Sequence, residues 1–292
     1  MAYVLLTGAS GFIAMHIIKV LLLGFVFVPD VGQTGAFDEA VRSNLPFDPV
    51  MHTANPITYE VKNIQADLID PAVGGTTIIL QAVKAGAPTV KRVVIMGPFV
   101  SMLDMSQGLW PGHKYDETDW NPIMAEEALG NPASGYAARK TFAEKAAWNF
   151  QSEKSPGFTL SVILSPFVSG PVLQRLNDMD SLSESNQFIR SFLNGTLAHV
   201  RAMEEPEAGN KRFFVANGHC SNRDIIGIIR KRSVKYRHSL SSEHLPRGEL
   251  PEDVFTISTQ CSVNILGMEY RTLEDCIADT VESFVAVESR DT

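Results

Sequence analysis

Cysteine is scarce in this chain: Cys220, Cys261 and Cys276 are the only three in 292 residues. They lie too far apart to suggest a metal-ligand spacing or a disulfide framework. They read as reduced thiols of a cytoplasmic protein. Long apolar runs are missing too. The longest, MHIIKVLLLGFVFV at 15–28, is broken by Lys19 and Gly24, and it falls short of the ~20 residues that cross a bilayer. It reads as a helix followed by a buried strand, and no membrane partner is expected. Positive charge is in deficit, with 25 Lys and Arg against 33 Asp and Glu for a formal net charge of −8, which argues against a nucleic-acid partner. The one basic run, RKRSVKYRH at 230–238, reads as a solvated helix end. Internal repeats and low-complexity tracts are absent, and the N-terminus shows neither a charged leader region nor a cleavage site, so no secretory signal is expected.

What is present is an ordinary globular composition, 45% hydrophobic and 20% charged, with two informative motifs. The first follows the short apolar run YVLL at 3–6. TGASGFIA comes next, and then a helical pattern, so that Gly8, Gly11 and Ala14 give G-x-x-G-x-x-A between a strand and a helix. This spacing lets backbone N–H groups approach a pyrophosphate, while a small residue at 14 permits close packing of helix on strand. The second motif is GYAARK at 135–140. Tyr136 and Lys140 are four residues apart, about one helical turn, and so share a face. A cation beside a phenol favours the phenolate and lowers a pKa ordinarily near ~10, which makes the tyrosine a proton donor to a developing alkoxide. Taken alone, this pair also fits an exposed helix pair.

The ordered blocks VLLTGASGFIAMHI at 4–17, VPDV at 28–31, MHTANP at 51–56, KRVVIM at 91–96, DETDWNP at 116–122, GYAARKTFAEKAAW at 135–148, SPFVSGPVL at 165–173 and RFFVANG at 212–218 run through most of the sequence. With them the chain resembles the extended short-chain dehydrogenase/reductases (the NAD-dependent epimerase/dehydratase superfamily), in the dihydroflavonol-reductase-like branch that includes fungal methylglyoxal and carbonyl reductases. The resemblance implies an α/β fold, a doubly wound and mostly parallel sheet of Rossmann type. Residues 1–165 would form the dinucleotide-binding core, and 166–292 a smaller substrate-side region interleaved with it as one structural unit. It implies NADP(H) as cofactor, with NAD(H) as the other option, and a small-molecule carbonyl compound as substrate. It also implies roles. Gly8, Ala9, Ser10, Gly11, Phe12 and Ile13 cradle the pyrophosphate, Asp30 and Val31 lie along the adenine, Tyr136 is the catalytic acid, Lys140 its ribose-anchoring partner, and Val168 lies near the nicotinamide.

Three departures weaken the pattern. The family's catalytic serine falls, counted back from Tyr136 without gaps, on Pro98, which has no side-chain donor; Ser101 could substitute if the loop is rearranged, though an exposed loop serine is the commoner reading. Between the first helix and VPDV the connection is almost absent, and no Lys or Arg occurs from Val20 to Val41 to meet a 2′-phosphate. Asp30, 22 residues after Gly8, could instead be the acid that holds an NAD ribose. Around FLNGTLAHVRAMEEPEAGNKRFF at 192–214 a strand-like block of the relatives is missing.

Several further expectations can be checked against the fold. FVFVP is a strand and GAFDEAVRS at 35–43 a short helix. PVMHTANP is a strand ending in a turn, with His52 packed rather than acting as a base. Residues 66–86 are a helix, and 97–122 a long surface excursion in which Asp116 and Glu117 serve for capping and solvation. On the helix after Ser134, Phe142, Ala146 and Trp148 would pack. A substrate lid spans 166–194, and RTLEDCIADTVESFV at 271–285 is a docking helix. The leading function is NADPH-dependent reduction of an aldehyde or ketone of a small or medium-sized metabolite, such as those of secondary metabolism. The alternative is a degenerate protein of the same fold without redox activity, an isomerase, dehydratase, cyclase or binding-only form.

Overall fold

The computed structural model describes residues 3–9, 11–18, 28, 30–42, 47–54, 63, 65–129, 131–166, 168, 170–172, 194–237, 240 and 249–289. Short apolar runs alternate with helical stretches, and parallel neighbours in a sheet need a crossover between them. The result is a five-stranded sheet in which β1 (Leu5–Thr7), β2 (Val50–His52), β3 (Arg92–Pro98), β5 (Thr159–Ser165) and β6 (Lys211–Phe214) stand in that order. Every pairing in it is parallel. A separate small ladder joins β4 (Lys114–Tyr115) to β7 (Thr256–Ile257).

RVVIMGP and TLSVILS are nearly continuous apolar runs, as strands covered on both faces must be. Alternation then splits them. Val50, Val93 and Val162 face one core with Phe37, Ile79 and Val83, while Met51, Val94 and Ile163 face the other with Ile17 and Phe213. On the first face lie α2 (Asp70–Gly86), entered through a π turn at Gln65–Ile69, and α3 (Pro132–Lys154). On the second lie α1 (Phe12–Ile18) and α4 (Asn194–Glu204), which continues LAHVRAME as a helix.

Local chemistry sets the helix ends. The Asn131 side chain accepts from the Ser134 N–H ahead of α3, with Pro132 in the first turn, and Ser155 in a left-handed conformation closes it. Ser221 and Asp224 form a capping box at the start of α5 (Asn222–Arg232). The short α6 (Gln260–Leu266) ends at left-handed Gly267, and Thr272 caps α7 (Leu273–Glu288). As expected, α7 docks: Ile277, Val281 and Phe284 pack on Ile225 and Ile229 of α5. The basic run also fits the solvated-end reading, since Lys231 and Arg232 reach Glu274 at 3.0 and 3.1 Å and Lys235 pairs with Glu288, all at the surface.

Two expectations are corrected. Residues 35–42 form successive turns rather than a helix, with the Asp38 N–H donating to the Gly35 carbonyl at 3.0 Å and the Arg42 N–H to the Glu39 carbonyl at 3.1 Å, and with Phe37, Ala40 and Val41 buried in the first core. The 97–122 stretch is a surface excursion only in part: residues 103–114 are exposed or half-buried, but Ser101, Met102, Tyr115 and Asn121 are buried, and β4 anchors it to β7. On α3 the expected packing is seen for Trp148, half-buried against the first core, and for Phe142, half-buried against Ile69, Ala128 and Ala138, while Ala146 is half-buried. The fully buried line runs through Ala137, Ala138, Thr141, Glu144, Ala147 and Phe150. The expected strand FVFVP, apart from Val28, and most of the lid lie outside the described residues. Among the described residues no helix is long and apolar enough to cross a membrane.

Candidate active site

The strand β1 ends at Thr7, and the chain turns at once through Gly8, whose φ of +74° is one that side chains rarely adopt. A Cβ on Gly8 would stand 2.7 Å from the Ala54 nitrogen, so the turn can lie against the end of β2 only without a side chain. The Gly11 N–H closes the turn on the Gly8 carbonyl at 2.8 Å, and α1 begins with Phe12 and buried Ala14. Ala9 and Gly11 are exposed, which leaves the turn open to a ligand's close approach. A phosphate-bearing cofactor fits such a turn. Ser10 lies outside the described residues, and Ile13 is half-buried against the second core.

A polar clasp locks this turn to β2. Thr7 Oγ1 and His52 Nδ1 share a hydrogen bond of 2.8 Å, the Ala54 N–H donates to Thr7 Oγ1 at 3.3 Å, and Thr53 Oγ1 donates to the Thr7 carbonyl at 2.7 Å. Burial, reinforced by the nearby charge of Lys140, lowers the His52 pKa from 6.5 to about 4. His52 is therefore a neutral packing residue near pH 7, as its place in an apolar strand end suggested, although its partner is a side chain.

Lys140 and the end of β2 meet in a narrow cleft whose walls include His52, Ala54, Gly97, Pro98 and Lys140. The glycine turn packs on Ala54, which lines the same cleft as the lysine. Tyr136 sits one turn earlier on α3 and is 41% exposed, so its phenol is accessible while the helix beneath it is packed. The Lys140 Nζ is 5.9 Å from the Tyr136 ring centroid, and the Arg139 guanidinium carbon is closer, at 5.2 Å. Burial, with the Arg139 charge second, lowers the Lys140 pKa from 10.5 to about 7. A tyrosine flanked by two cations, one of which changes charge near neutrality, is equipped to hand over and regain a proton.

The remaining candidates divide. Pro98, the last residue of β3, lines the cleft, whereas Ser101 does not; its hydroxyl is fully buried in the turn at 99–101. Ser101 is therefore not brought to the cleft as a substitute donor. Asp30 is exposed, and its carboxylate accepts from the Gly32 N–H at 2.9 Å, while Val31 packs against the first core beside Val28. Val168 is buried just beyond β5. His16 Nε2 meets the Pro171 carbonyl at 3.0 Å and so draws that segment toward α1.

Sequence reasoning missed a buried ion pair beside this cleft. Arg212 Nε donates to Glu144 Oε1 at 2.7 Å, its NH1 donates to the carbonyls of Glu117 and Asp119 at 2.7 and 2.6 Å, and the guanidinium lies 3.8 Å from the Trp120 ring centroid. Glu117 does more than cap: its carboxylate accepts from the Phe214 N–H at 3.0 Å, and burial raises its pKa. The signal was an arginine inside the apolar strand KRFF, since a charge there needs a partner. Among the described residues no cluster of His, Cys, Asp and Glu could hold a metal ion.

Comparison with known proteins agrees with this geometry. No protein-family model matches the chain. A ketoreductase of Aspergillus niger is 33% identical over 335 aligned positions that take in 97% of each chain. A putative NADPH-dependent methylglyoxal reductase of Candida albicans is 29% identical over 97% of this chain and 98% of the relative. Among solved structures, Gre2 of Candida albicans in complex with NADPH superposes with a TM-score of 0.85 at 28% identity, covering 98% of this chain and 99% of that one. The 335 aligned positions exceed this chain's 292 residues, so the relative carries segments that this chain lacks. The chain belongs to the extended short-chain dehydrogenase/reductase family.

Proposed function

We propose that this family member reduces the carbonyl group of an aldehyde or ketone, a small or medium-sized metabolite, with NADPH as the hydride donor. One observation carries the reading. The side-chain-free turn at Gly8 packs on Ala54, and Ala54 and Lys140 line one cleft, so the place for a dinucleotide and the place for proton transfer adjoin. The relatives' names support it, since they are a ketoreductase and a putative NADPH-dependent methylglyoxal reductase.

In this reading residues 1–165 hold the cofactor and 166–292 shape the substrate side. The turn from Gly8 through Ser10 to Ile13 takes the pyrophosphate, Asp30 and Val31 the adenine edge, and Val168 the nicotinamide side. The bound cofactor supplies the hydride. Tyr136 gives its phenolic proton to the oxygen as negative charge develops there. Lys140 holds the ribose and, while protonated, favours the phenolate left behind. The missing donor at Pro98 leaves Tyr136 to stabilise that oxygen with one hydrogen bond fewer.

The test is to mix the purified protein with NADPH and a panel of small aldehydes and ketones, to follow loss of the reduced nicotinamide's absorbance, and to measure NADPH binding by calorimetry. Turnover with measurable binding is expected. Absence of both would overturn the reading, and conversion of a substrate without cofactor would replace it with the non-redox alternative.

A further inference from the structure

Glu144 stands one turn beyond Lys140 on α3, and both side chains line the same cleft. A lysine and a glutamate at this spacing ordinarily pair across one helical turn. Here they do not: among the described residues no ion pair joins them, and Glu144 is instead committed to Arg212, with Trp148 Nε1 as a further donor at 3.3 Å. The commitment is firm. Both partners are buried, the guanidinium donates to both carboxylate oxygens, at 2.7 and 3.5 Å, and it is held from behind by two carbonyls and the Trp120 ring.

We propose that Arg212 is a positioning residue for proton transfer: by occupying Glu144 it withholds from Lys140 the one carboxylate that lines the cleft among the described residues, and so leaves the ammonium to Tyr136 and the ribose. The charged and titratable groups around Lys140 fit this. On α3 they are Tyr136, Arg139 and Glu144, and from β2 there is His52. The neighbouring end of β3 offers Met96, Gly97 and Pro98, none of them charged. With Glu144 occupied, burial and Arg139 act on Lys140 unopposed, in keeping with its pKa of about 7. Without Arg212, the freed carboxylate would reach the lysine, fix it as an ammonium and draw it away from the phenol.

The inference rests on the reading of Lys140 as Tyr136's partner, but its test needs neither cofactor nor turnover, so the two can fail separately. The pH midpoint of Lys140 acetylation by acetic anhydride, read on its own peptide by mass spectrometry in cofactor-free protein, should lie near 7 in the natural chain. In Arg212→Met, or the more polar Arg212→Gln, it should rise by about one pH unit or more, as a new opposite charge dictates. Arg212→Lys should hold the midpoint. Adding Glu144→Gln to Arg212→Met should return it to the natural value, since both charges of the pair are then gone. An unmoved midpoint in a folded Arg212 variant would overturn the proposal. So would a double variant whose midpoint stays as high as that of Arg212→Met, because the freed carboxylate would then not be what raised it.

Discussion

The two sides of the sheet are built to different depths. Between β3 and β5 seven consecutive residues pair in register, from Arg92 with Thr159 to Pro98 with Ser165, and the strands are covered on both faces. Between β1 and β2 only three residues pair, and among the described residues β1 stands at one edge of the sheet, with β6 at the other. The deep side carries α3 with Tyr136 and Lys140, and the shallow side carries the glycine turn. In the proposed function, proton transfer is thus mounted on the stronger scaffold, and cofactor binding on one held by a few polar contacts at Thr7, His52 and Ala54.

The comparison can be sharpened first on the deep side. Tyr136→Phe should lower kcat about 100- to 10,000-fold, the usual worth of a positioned acid, while NADPH affinity and unfolding temperature stay as they were. Equal losses in binding would show that the two sides are not separable. Pro98→Ser should raise kcat by about 100-fold, by restoring a donor at the developing oxyanion; no gain would mean that the oxygen does not come to the end of β3.

On the shallow side the expected effects are on stability and affinity. His52 has a folded pKa of about 4 against an unfolded value of 6.5. Above 6.5 both states are neutral, and between 6.5 and 4 only the unfolded chain takes the proton. Stability should therefore fall with pH through that window, by on the order of 3 kcal/mol in total. Urea unfolding across this range should show the slope, and His52→Gln should flatten it. The smallest effect is expected for Gly8→Ala. The strained φ and the approach to Ala54 should cost about 1–3 kcal/mol, read as a lower unfolding temperature together with weaker NADPH binding. Unaltered binding would show that the turn does not carry the cofactor.

Most of the architecture was legible because its signals are local. A strand of continuous apolar residues, a glycine turn and a capped helix each announce themselves within about ten residues, and the order strand–turn–helix names the fold class. The Tyr136–Lys140 pair was legible for the same reason, since helical spacing alone puts both on one face. The misreadings have a common cause. Glu144 was not singled out as a buried residue, because the partner that allows its burial, Arg212, comes from a distant strand. Ser101 looked like an exposed loop serine or a spare donor, but it is fully buried in the turn at 99–101, where its carbonyl accepts from the Asn121 N–H at 2.8 Å.

The sequence by itself determined the parallel α/β class, the glycine turn and the pairing of phenol with ammonium, because each depends on residues within a turn or two of one another. Only the tertiary structure decided that His52 clasps Thr7, that Pro98 rather than Ser101 faces the cleft, and that Arg212 takes Glu144 although Lys140 is the nearer residue along the chain. The physical reason is that electrostatic partnership is settled by burial and distance in space. Arg212 comes from a strand 68 residues away to a carboxylate that its own helix could otherwise have neutralised.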